Sequence, residues 1–395
     1  MQLQNFMHYT DVGCRLVRMQ RYEWRGRKGS RDEETPLQRL WFLFSAVNMI
    51  YQMLGMVIYL FLVDSWEEQP GGVVGQLSET CSIMGIMLFG ISNMWMLVQH
   101  RSDIESILAE LQQLYPRQTR QYRIDYYYEK STRLMRYIAI YFTFACSYYN
   151  ALPIIVLVYE LLMESQHFRY KYQSNTWYPW QLLTNPDSLV SFMVAYLCQV
   201  VSSIMAVVFM TVSQFLLCVF VTQIQLHFDA LASGFGALGA GQPGANDQLK
   251  ALIAYHIRLL SITRKINRAF NFVILINFAT STIAICVMAY SMVMFNVFMA
   301  CKYSVGLVAF LILTFFICYN GDQLTSASNQ LLPAAFYNNW YEGDLNYRKM
   351  MLFFIMRSCE TQELRAYKFM PVSMITYMAI LKFSYQLFMF LRTMA

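Results

Sequence analysis

Long apolar runs separated by short polar segments are the dominant pattern in this sequence. The hydrocarbon core of a bilayer is about 30 Å thick, so a helix needs about 17 to 25 mostly apolar residues to cross it. Seven runs reach this length, and we predict an all-α polytopic membrane protein with seven transmembrane helices. The predicted crossings are residues 40–63, 74–98, 137–163, 189–220, 272–294, 303–319 and 369–391.

Two apolar regions need separate interpretation. The fifth and sixth crossings form one block that is too long for a single helix, and we place a turn at its polar residues, Asn296 and Lys302. A further run, 350–356, lies between Lys349 and Arg357 and is too short to cross a bilayer. The pattern therefore predicts seven crossings.

The composition agrees with solvation by lipid. Hydrophobic residues make up 57% of the 395 positions and charged residues only 14%, whereas a soluble domain has about a quarter charged residues. The net charge of +6 does not indicate nucleic-acid binding, because the basic residues are scattered over the short segments between apolar runs. We therefore expect the lipid bilayer as a partner and no nucleic acid.

Lysine and arginine are distributed unevenly between the two sides of the predicted bundle. Cytoplasmic loops of membrane proteins are enriched in these residues, so their distribution predicts the orientation. With the N-terminus inside, 25 of the 30 Lys and Arg fall in cytoplasmic segments, and only Arg169, Lys171 and Lys302 fall in outer ones. We expect a cytoplasmic N-terminus and an extracellular C-terminus.

Three cytoplasmic stretches have the apolar spacing of amphipathic helices. Residues 103–115 and 248–270 are predicted to extend their neighbouring crossings below the membrane, and residues 321–368 to form a cytoplasmic packing region. Four parts are therefore predicted: a cytoplasmic segment 1–39, a six-helix bundle 40–320 with helix extensions, a cytoplasmic anchor region 321–367, and a seventh helix with a short tail 368–395.

Motifs for catalysis or cofactor binding are weak. Gly234, Gly236 and Gly239 have GxGxxG spacing, but they follow a helix-like stretch and lack the strand that a dinucleotide site requires. The five histidines have no HExxH or i, i+4 pairing for zinc, and the nine cysteines include no CxxC pair. We expect no enzymatic activity, no cofactor and no bound metal.

The last predicted crossing contains a lysine near its midpoint, which costs about 2.5 to 3.5 kcal/mol on insertion scales. On a helical wheel Lys382, Gln386 and Thr393 fall within about 40° of one another, and Phe390 shares their side. One interpretation is a stripe along a water-lined pore, with these four as pore residues. The alternative is that Lys382 pairs inside a single-chain bundle or extends its amine to the interface.

Aromatic residues make up 16% of the chain, and several lie in the outer halves of the crossings. Interfacial belts explain many of them, but a pocket for a small apolar ligand uses the same residue types together with a few polar groups. We place a candidate ligand pocket in the outer half of the bundle, formed by the second to sixth crossings. Its candidate residues are Met84, Leu88, Cys146, Tyr149, Asn150, Tyr196, Gln199, Tyr303 and Leu307.

Several segments have distinctive sequences. The tail reads CYNGDQLTSASNQLLPAAFYNNWYEG at 318–343, FIMRSCETQELRA at 354–366 and KFMPVSMITYMAILKFSYQLFMFL at 368–391. Earlier segments read LIAYHIRLLSITRKINRAFNFVILINF at 252–278, WYPW at 177–180 and YLCQ at 196–199. Together these segments resemble the insect odorant receptor family: 252–278 is similar to the stretch that leads into its fifth crossing, and 177–180 and 196–199 are similar to its second outer loop and fourth crossing. The resemblance is most specific in the tail.

This resemblance implies a ligand-gated, nonselective cation channel in which the seventh helices of four subunits line the pore. It further implies a small volatile ligand, an obligate odorant receptor co-receptor in a heterotetramer, and the plasma membrane of olfactory sensory neurons. Phe390 and Thr393 stand at positions that resemble the family's gate. Lys382 replaces a Gly of the co-receptor pattern, and the co-receptor's long cytoplasmic insertion is absent, so the chain resembles a tuning subunit.

Two other receptor classes are alternatives. The sister gustatory receptor channels carry Thr-Tyr, five apolar residues and Gln-Phe; Thr376 and Tyr377 are present here, but the later pair is Phe383 and Ser384. A G-protein-coupled receptor would have an extracellular N-terminus, a D/E-R-Y motif after the third crossing and N-P-x-x-Y in the seventh. Neither motif is in place.

Overall fold

The computed structural model describes residues 2–24, 27, 36–62, 72–115, 123–162, 172–182, 188–294, 297–367 and 369–394, most of which are helical. The elements are the helices α1 (Leu3–Phe6), α2 (His8–Leu16), α3 (Pro36–Leu62), α4 (Gly72–Gln99), α5 (Arg101–Leu114), α6 (Ile124–Leu162), α7 (Leu189–Gly236), α8 (Ala245–Met294), α9 (Val297–Asn329), α10 (Leu331–Phe336), α11 (Leu345–Ser358) and α12 (Met374–Met394), two short 3₁₀ helices at Pro179–Leu182 and Trp340–Glu342, and the strands β1 (Arg365–Ala366) and β2 (Met370–Pro371).

Seven of these helices are long and apolar enough to cross a bilayer: α3, α4, α6, α7, α8, α9 and α12. The predicted number of crossings is confirmed. The fifth and sixth crossings separate between Met294 and Val297; Asn296 lies outside the described residues, and Lys302 lies inside α9. The apolar run 350–356 lies within α11, which has 14 residues.

The helices α7 and α8 are far longer than a bilayer requires. They have 48 and 50 residues, and at 1.5 Å per residue each is about 70 to 75 Å long, more than twice the hydrocarbon thickness. The excess length lies at the end of the bundle where α2, α5 and α11 pack, which we call the basic end. The unbroken α8 confirms that residues 248–270 extend the fifth crossing.

The stretch 103–115 behaves differently, because it forms the separate helix α5 instead of extending α4. Between the two helices, His100 has φ −94° and ψ 20°, which interrupts the helix and allows the chain to turn. The apolar face of α5, including Leu108, then packs against α8. An ion pair between Lys265 and Glu110 joins the two helices.

The N-terminal helices are part of the basic end. Gly13 of α2 lies so close to α7 that a Cβ there would stand 2.2 Å from Cγ2 of Val212, so only glycine fits without a shift. Asp11 forms a buried ion pair with Arg27. Burial nevertheless raises the pKa of Asp11, because removal from water disfavours the charged carboxylate more than the guanidinium favours it.

The segment between α9 and α12 packs on the extensions of α7 and α8. The ring of Phe354 in α11 stacks on Phe235, with centroids 4.1 Å apart, and meets His256 edge-on at 5.0 Å. Asp344 caps α11 by accepting the backbone N–H of Tyr347 at 2.7 Å. This hydrogen bond to the charged form is the main reason that the pKa of Asp344 is lowered.

The seventh crossing, α12, follows the β1–β2 hairpin and therefore begins somewhat later than the predicted crossing at 369. Gly321 of α9 permits this path, because a Cβ there would stand 2.1 Å from the carbonyl oxygen of Val372. On one side α12 packs against α8 and α9. Ser384 on that side donates to the carbonyl of Thr282 at 3.1 Å.

Small residues and polar side chains hold the crossings together. At Gly90 in α4 a Cβ would stand 2.6 Å from Cβ of Ala206 in α7. Asn48 in α3 donates to the hydroxyl of Ser202 and to the carbonyl of Cys198, each at 2.8 Å. Close backbone approach and interhelical hydrogen bonds are the usual forces between helices in lipid, and here they join α3 and α4 to α7.

Candidate ligand-binding site

A cavity lies between α4, α6, α7 and α9 in the half of the bundle away from the basic end. The space open to the centre of a water molecule is about 70 Å³, and none of the described residues that line it is charged. The walls are almost entirely apolar. Their apolar side chains are Ile83, Ile86, Met87 and Phe89 from α4, Phe142 and Ala145 from α6, Val207 and Met210 from α7, and Ala309, Phe310 and Leu313 from α9.

A few polar groups interrupt this apolar lining. Asn150 of α6 accepts a hydrogen bond from the hydroxyl of Ser203 in α7 at 2.9 Å. Its amide nitrogen donates to the carbonyl of Cys146 at 2.8 Å and lies 3.4 Å from the Cys146 sulfur. Because sulfur is a weak acceptor, one N–H of Asn150 can turn to a ligand oxygen at little cost.

Tyr149 is held by two residues of α9 that lie one helical turn apart, Lys302 and Gly306. It donates a hydrogen bond to the carbonyl of Lys302 at 2.7 Å. A Cβ at Gly306 would stand 2.5 Å from the tyrosine Oη and 2.9 Å from Cε of Met288. The absence of a side chain at Gly306 therefore gives the tyrosine ring its place beside the cavity.

The outer segment 172–182 reaches the cavity through Gln173, which is one of its lining residues. The side chain of Gln199 in α7 accepts the backbone N–H of Gln173 at 3.0 Å and donates to the carbonyl of Ser174 at 2.9 Å. Gln199 is only 1% exposed. Its side chain thus provides hydrogen-bond partners for backbone groups of the segment that are buried away from water.

The same segment is tied to α3. Gln52 donates to the hydroxyl of Thr176 at 2.8 Å and accepts from the hydroxyl of Tyr178 at 2.8 Å. A Cβ at Gly55 would stand 2.6 Å from Cγ2 of Thr176, so the glycine allows the segment to lie against the helix. These bonds hold one wall of the cavity between α3 and α7.

The predicted ligand residues fall into three groups in the structure. Cys146, Tyr149 and Asn150 line the cavity. Tyr196 and Gln199 lie behind it: the Tyr196 hydroxyl donates to the carbonyl of Asn150, and Gln199 holds the outer segment. The remaining four are placed elsewhere: Tyr303 is buried in the hydrophobic core, Met84 and Leu307 are partly buried against it, and Leu88 is 38% exposed on the bundle surface.

Several lining residues did not follow from the sequence. Gly306 had a signal, since a glycine within an apolar crossing indicates close approach of another group. Ser203 and Phe310 had none, because α7 and α9 are apolar on all sides and hydropathy does not distinguish their faces. The expectation of a pocket formed by the second to sixth crossings included the fifth, but none of the described lining residues comes from α8.

The second candidate site is the outward side of α12. Lys382, Gln386, Phe390 and Thr393 are all exposed in the single chain, on the side away from α8 and α9. Within the described part of the chain, Lys382 takes part in no ion pair. The single chain therefore leaves this stripe uncovered.

Comparison with known proteins identifies similar sequences over the whole chain. Residues 74–385 match the family model described as 7tm Odorant receptor. Putative odorant receptor 69a of Drosophila melanogaster is 40% identical in isoform B and 39% in isoform A, each over all of both chains. Odorant receptor 85c of the same organism is 26% identical over 92% of this chain and 94% of its own.

Solved structures share the fold. The insect olfactory receptor OR5 from Machilis hrabei in complex with eugenol superposes with a TM-score of 0.83 at 13% identity, over 100% of this chain and 99% of that one. A second structure of the same receptor gives a TM-score of 0.80 at 12% identity, over 98% of each chain. The seven-helix arrangement is therefore common to both proteins despite their distant sequences.

Proposed function

Since the chain belongs to the 7tm odorant receptor family, we propose that it is the odorant-binding, tuning subunit of a ligand-gated, nonselective cation channel. The observation that carries the proposal is the uncharged cavity between α4, α6, α7 and α9, in a chain whose relatives of similar length are named odorant receptors. These names favour an odorant receptor over a gustatory one, and this family is a receptor family rather than an enzyme family.

The ligand that fits this cavity is a small, neutral, mostly apolar molecule with a single oxygen function. Apolar walls supply affinity through burial, and the lack of charge among the described lining residues disfavours ions. The N–H of Asn150 that meets only the weakly accepting sulfur of Cys146 can turn to a carbonyl or ether oxygen, and the hydroxyl oxygens of Tyr149 and Ser203 can each accept from a ligand hydroxyl. The related Machilis receptor was solved in complex with eugenol, a small, neutral, mostly apolar phenol, which supports a ligand of similar size and polarity.

A bound odorant would act on the pore through α9, which lines the cavity and also packs against α12. Phe310 of α9 lines the cavity, and Phe315 of the same helix contacts the ring of Tyr377 in α12 edge-on at 5.7 Å. A ligand shifts gating only when it binds the open and closed states with different affinity. Displacement of Phe310 by the ligand is the local change that would favour one position of α12.

The chain is a multi-pass membrane protein, and its topology and partners complete the proposal. The basic end would face the cytoplasm, with segment 1–39, the helix extensions and anchor region 321–367 on that side, while bundle 40–320 would bind the ligand. Segment 368–395 would line the pore, with the stripe Lys382, Gln386, Phe390 and Thr393 facing it. The odorant receptor co-receptor would supply the other subunits in the plasma membrane of olfactory sensory neurons.

Electrophysiology on cells that co-express the chain with the co-receptor tests the proposal. We expect cation current in response to at least one member of a panel of small volatiles that contain one oxygen, and no such current from the co-receptor alone with the same volatile. Surface labelling of tagged chains must first establish that both subunits reach the plasma membrane.

Two outcomes would contradict the proposal. The first is the absence of current across a broad panel from complexes that are labelled at the surface. The second is labelling of an N-terminal tag, and not of a C-terminal tag, on intact cells, since that orientation belongs to G-protein-coupled receptors. The tag experiment needs no odorant and separates a wrong orientation from a missing ligand.

A further inference from the structure

A second cavity opens at the basic end, where α3 begins, α4 ends and the residues after α2 pass between them. The space open to the centre of a water molecule is about 370 Å³. Arg18, Arg39 and Arg101 line it together with apolar side chains such as Leu43 and Val98, and no carboxylate is among its described lining residues. We call this cavity the arginine groove.

The arginine groove lies at the level where hydrocarbon gives way to headgroups. Arg39 directly precedes the apolar run that begins at 40, and Arg101 follows the run that ends at 98. On the bilayer side of these arginines, Leu43 is 57% exposed and Val98 is 50% exposed. The groove is therefore cationic at one level and apolar at the next. An anionic lipid changes in the same order, from its charged headgroup to its apolar chains.

Arg101 is held in place by the protein. It donates to the carbonyl of Gln20 at 3.0 Å, lies over the ring of Tyr22 at 5.3 Å and forms a 3.0 Å ion pair with Glu105. Glu105 therefore neutralises part of its charge, and Glu23 is close by, because its backbone N–H donates to the same carboxylate. The Nε of Arg101 is buried without a hydrogen-bond partner.

Arg18 is exposed and takes part in no ion pair with another described residue, so it supplies charge that Glu105 does not neutralise. Arg39 is exposed as well. The backbone at Arg18 has φ 57°, in the left-handed region that non-glycine residues seldom adopt. A hydrogen bond from the N–H of Met19 to the carbonyl of Cys14, at 2.9 Å, holds this turn at the end of α2. The turn directs the chain across the groove.

We propose that the arginine groove binds an anionic phospholipid of the cytoplasmic leaflet, with its phosphate among the three arginines and its acyl chains over Leu43 and Val98. Guanidinium groups match phosphate oxygens in geometry and charge, and basic pockets at the inner surface attract anionic headgroups. The leaflet assignment rests on the orientation given under the proposed function. A free phosphate would leave the exposed apolar rim uncovered, so lipid is the better occupant.

The experiment measures lipid binding to the full-length chain in nanodiscs. Discs of phosphatidylcholine are compared with discs that also contain phosphatidylserine, and lipid retained by the protein is counted by native mass spectrometry. The variants are Arg18→Gln, Arg39→Gln and the double variant, which leave the structural Arg101 intact. Arg268→Gln is the matched control, because Arg268 is an exposed arginine shortly before the fifth crossing that does not line the groove.

We expect selective retention of phosphatidylserine, about fivefold weaker for each groove arginine removed, and unchanged in Arg268→Gln. Equal retention by the double variant and the wild type would overturn the inference. So would binding of inorganic phosphate that is as strong as that of short-chain phosphatidylserine. Because both leaflets of a disc have the same composition, a reversed orientation in cells or a missing odorant current leaves this result unchanged.

Discussion

Gly306 and Tyr149 are in such close contact that a Cβ on the glycine would stand 2.5 Å from the tyrosine hydroxyl oxygen. The two residues lie on α9 and α6, which face each other across the cavity. One glycine thus sets the position of an aromatic wall on a neighbouring helix. Changes at this contact should alter the shape of the cavity without adding or removing a charge.

Gly306→Ala tests this contact. The added methyl group must displace Tyr149 or Met288, and such overpacking costs about 1 to 3 kcal/mol. We expect an odorant dose-response curve shifted by about tenfold, with a moderate loss of surface expression. Gly241→Ala is the matched control, because a Cβ there meets nothing within 4 Å. An unchanged curve for Gly306→Ala would show that Tyr149 does not shape the ligand site.

Asn150→Leu should change ligand preference rather than remove binding. The leucine keeps the branched shape of the side chain but loses the N–H that can meet a ligand oxygen, a contribution of about 0.5 to 1.5 kcal/mol. We expect responses to oxygen-containing odorants to weaken by roughly 3- to 10-fold, with a smaller change for the matching hydrocarbons. Ser304→Ala, which removes a half-buried hydroxyl on α9 that is not among the lining residues, is the control. Equal weakening for both ligand classes would contradict the assigned role.

Gln199→Leu should destabilise the outer segment. The N–H of Gln173 and the carbonyl of Ser174 would lose their partners in a buried place, at a cost of about 1 to 3 kcal/mol. We expect lower thermal stability of the purified chain and faster hydrogen exchange in residues 172–182. Gln242→Leu, at an exposed position, should leave both measurements unchanged. If residues 172–182 of Gln199→Leu keep the exchange protection of the wild type, Gln199 does not hold this segment in place.

Lys382→Gln should change the ion preference of the channel. In water, a unit charge about 4 Å from a monovalent cation changes the energy of that cation by about 1 kcal/mol. The change is twice as large for a divalent cation. We expect calcium permeability relative to sodium to rise by up to about fivefold, measured from reversal potentials in co-expressing cells. Lys349→Gln in α11 is the control. An unchanged reversal potential would place Lys382 outside the ion path.

Asp344 should make the start of α11 sensitive to acid. Its pKa is lowered from the ordinary value of 3.8, chiefly by the hydrogen bond from the N–H of Tyr347. The charged carboxylate therefore stabilises the helix above the unfolded pKa, and this contribution is lost as pH falls through the folded pKa. We expect the protection of the first-turn amides of α11, measured as the exchange rate relative to the intrinsic rate at each pH, to fall as the pH drops below the ordinary pKa of 3.8, whereas Asp344→Ala should have weak protection at neutral pH too. Protection in the wild type that does not change with pH would contradict the capping role.

Sequence alone determined the number of crossings, the break between the fifth and sixth, and the continuation of the fifth crossing into α8. These are local properties, because the length and period of an apolar run depend only on adjacent residues and the thickness of the bilayer. The uneven distribution of Lys and Arg likewise predicts an orientation from short segments. The resemblance of the tail to the odorant receptor family could also be recognised from the sequence, because it rests on consecutive residues.

Tertiary structure decided which faces of these helices meet. Met84 and Leu88 were as plausible as Ile83 and Met87 on a helix that is apolar on every side, yet only the latter pair lines the cavity. The folding of segment 172–182 between α3 and α7 was equally hidden, because Gln52 and Gln199 are far apart in sequence and acquire their partners only in the packed bundle. In a chain solvated by lipid, hydropathy specifies what enters the membrane, while close packing and interhelical hydrogen bonds specify the neighbours.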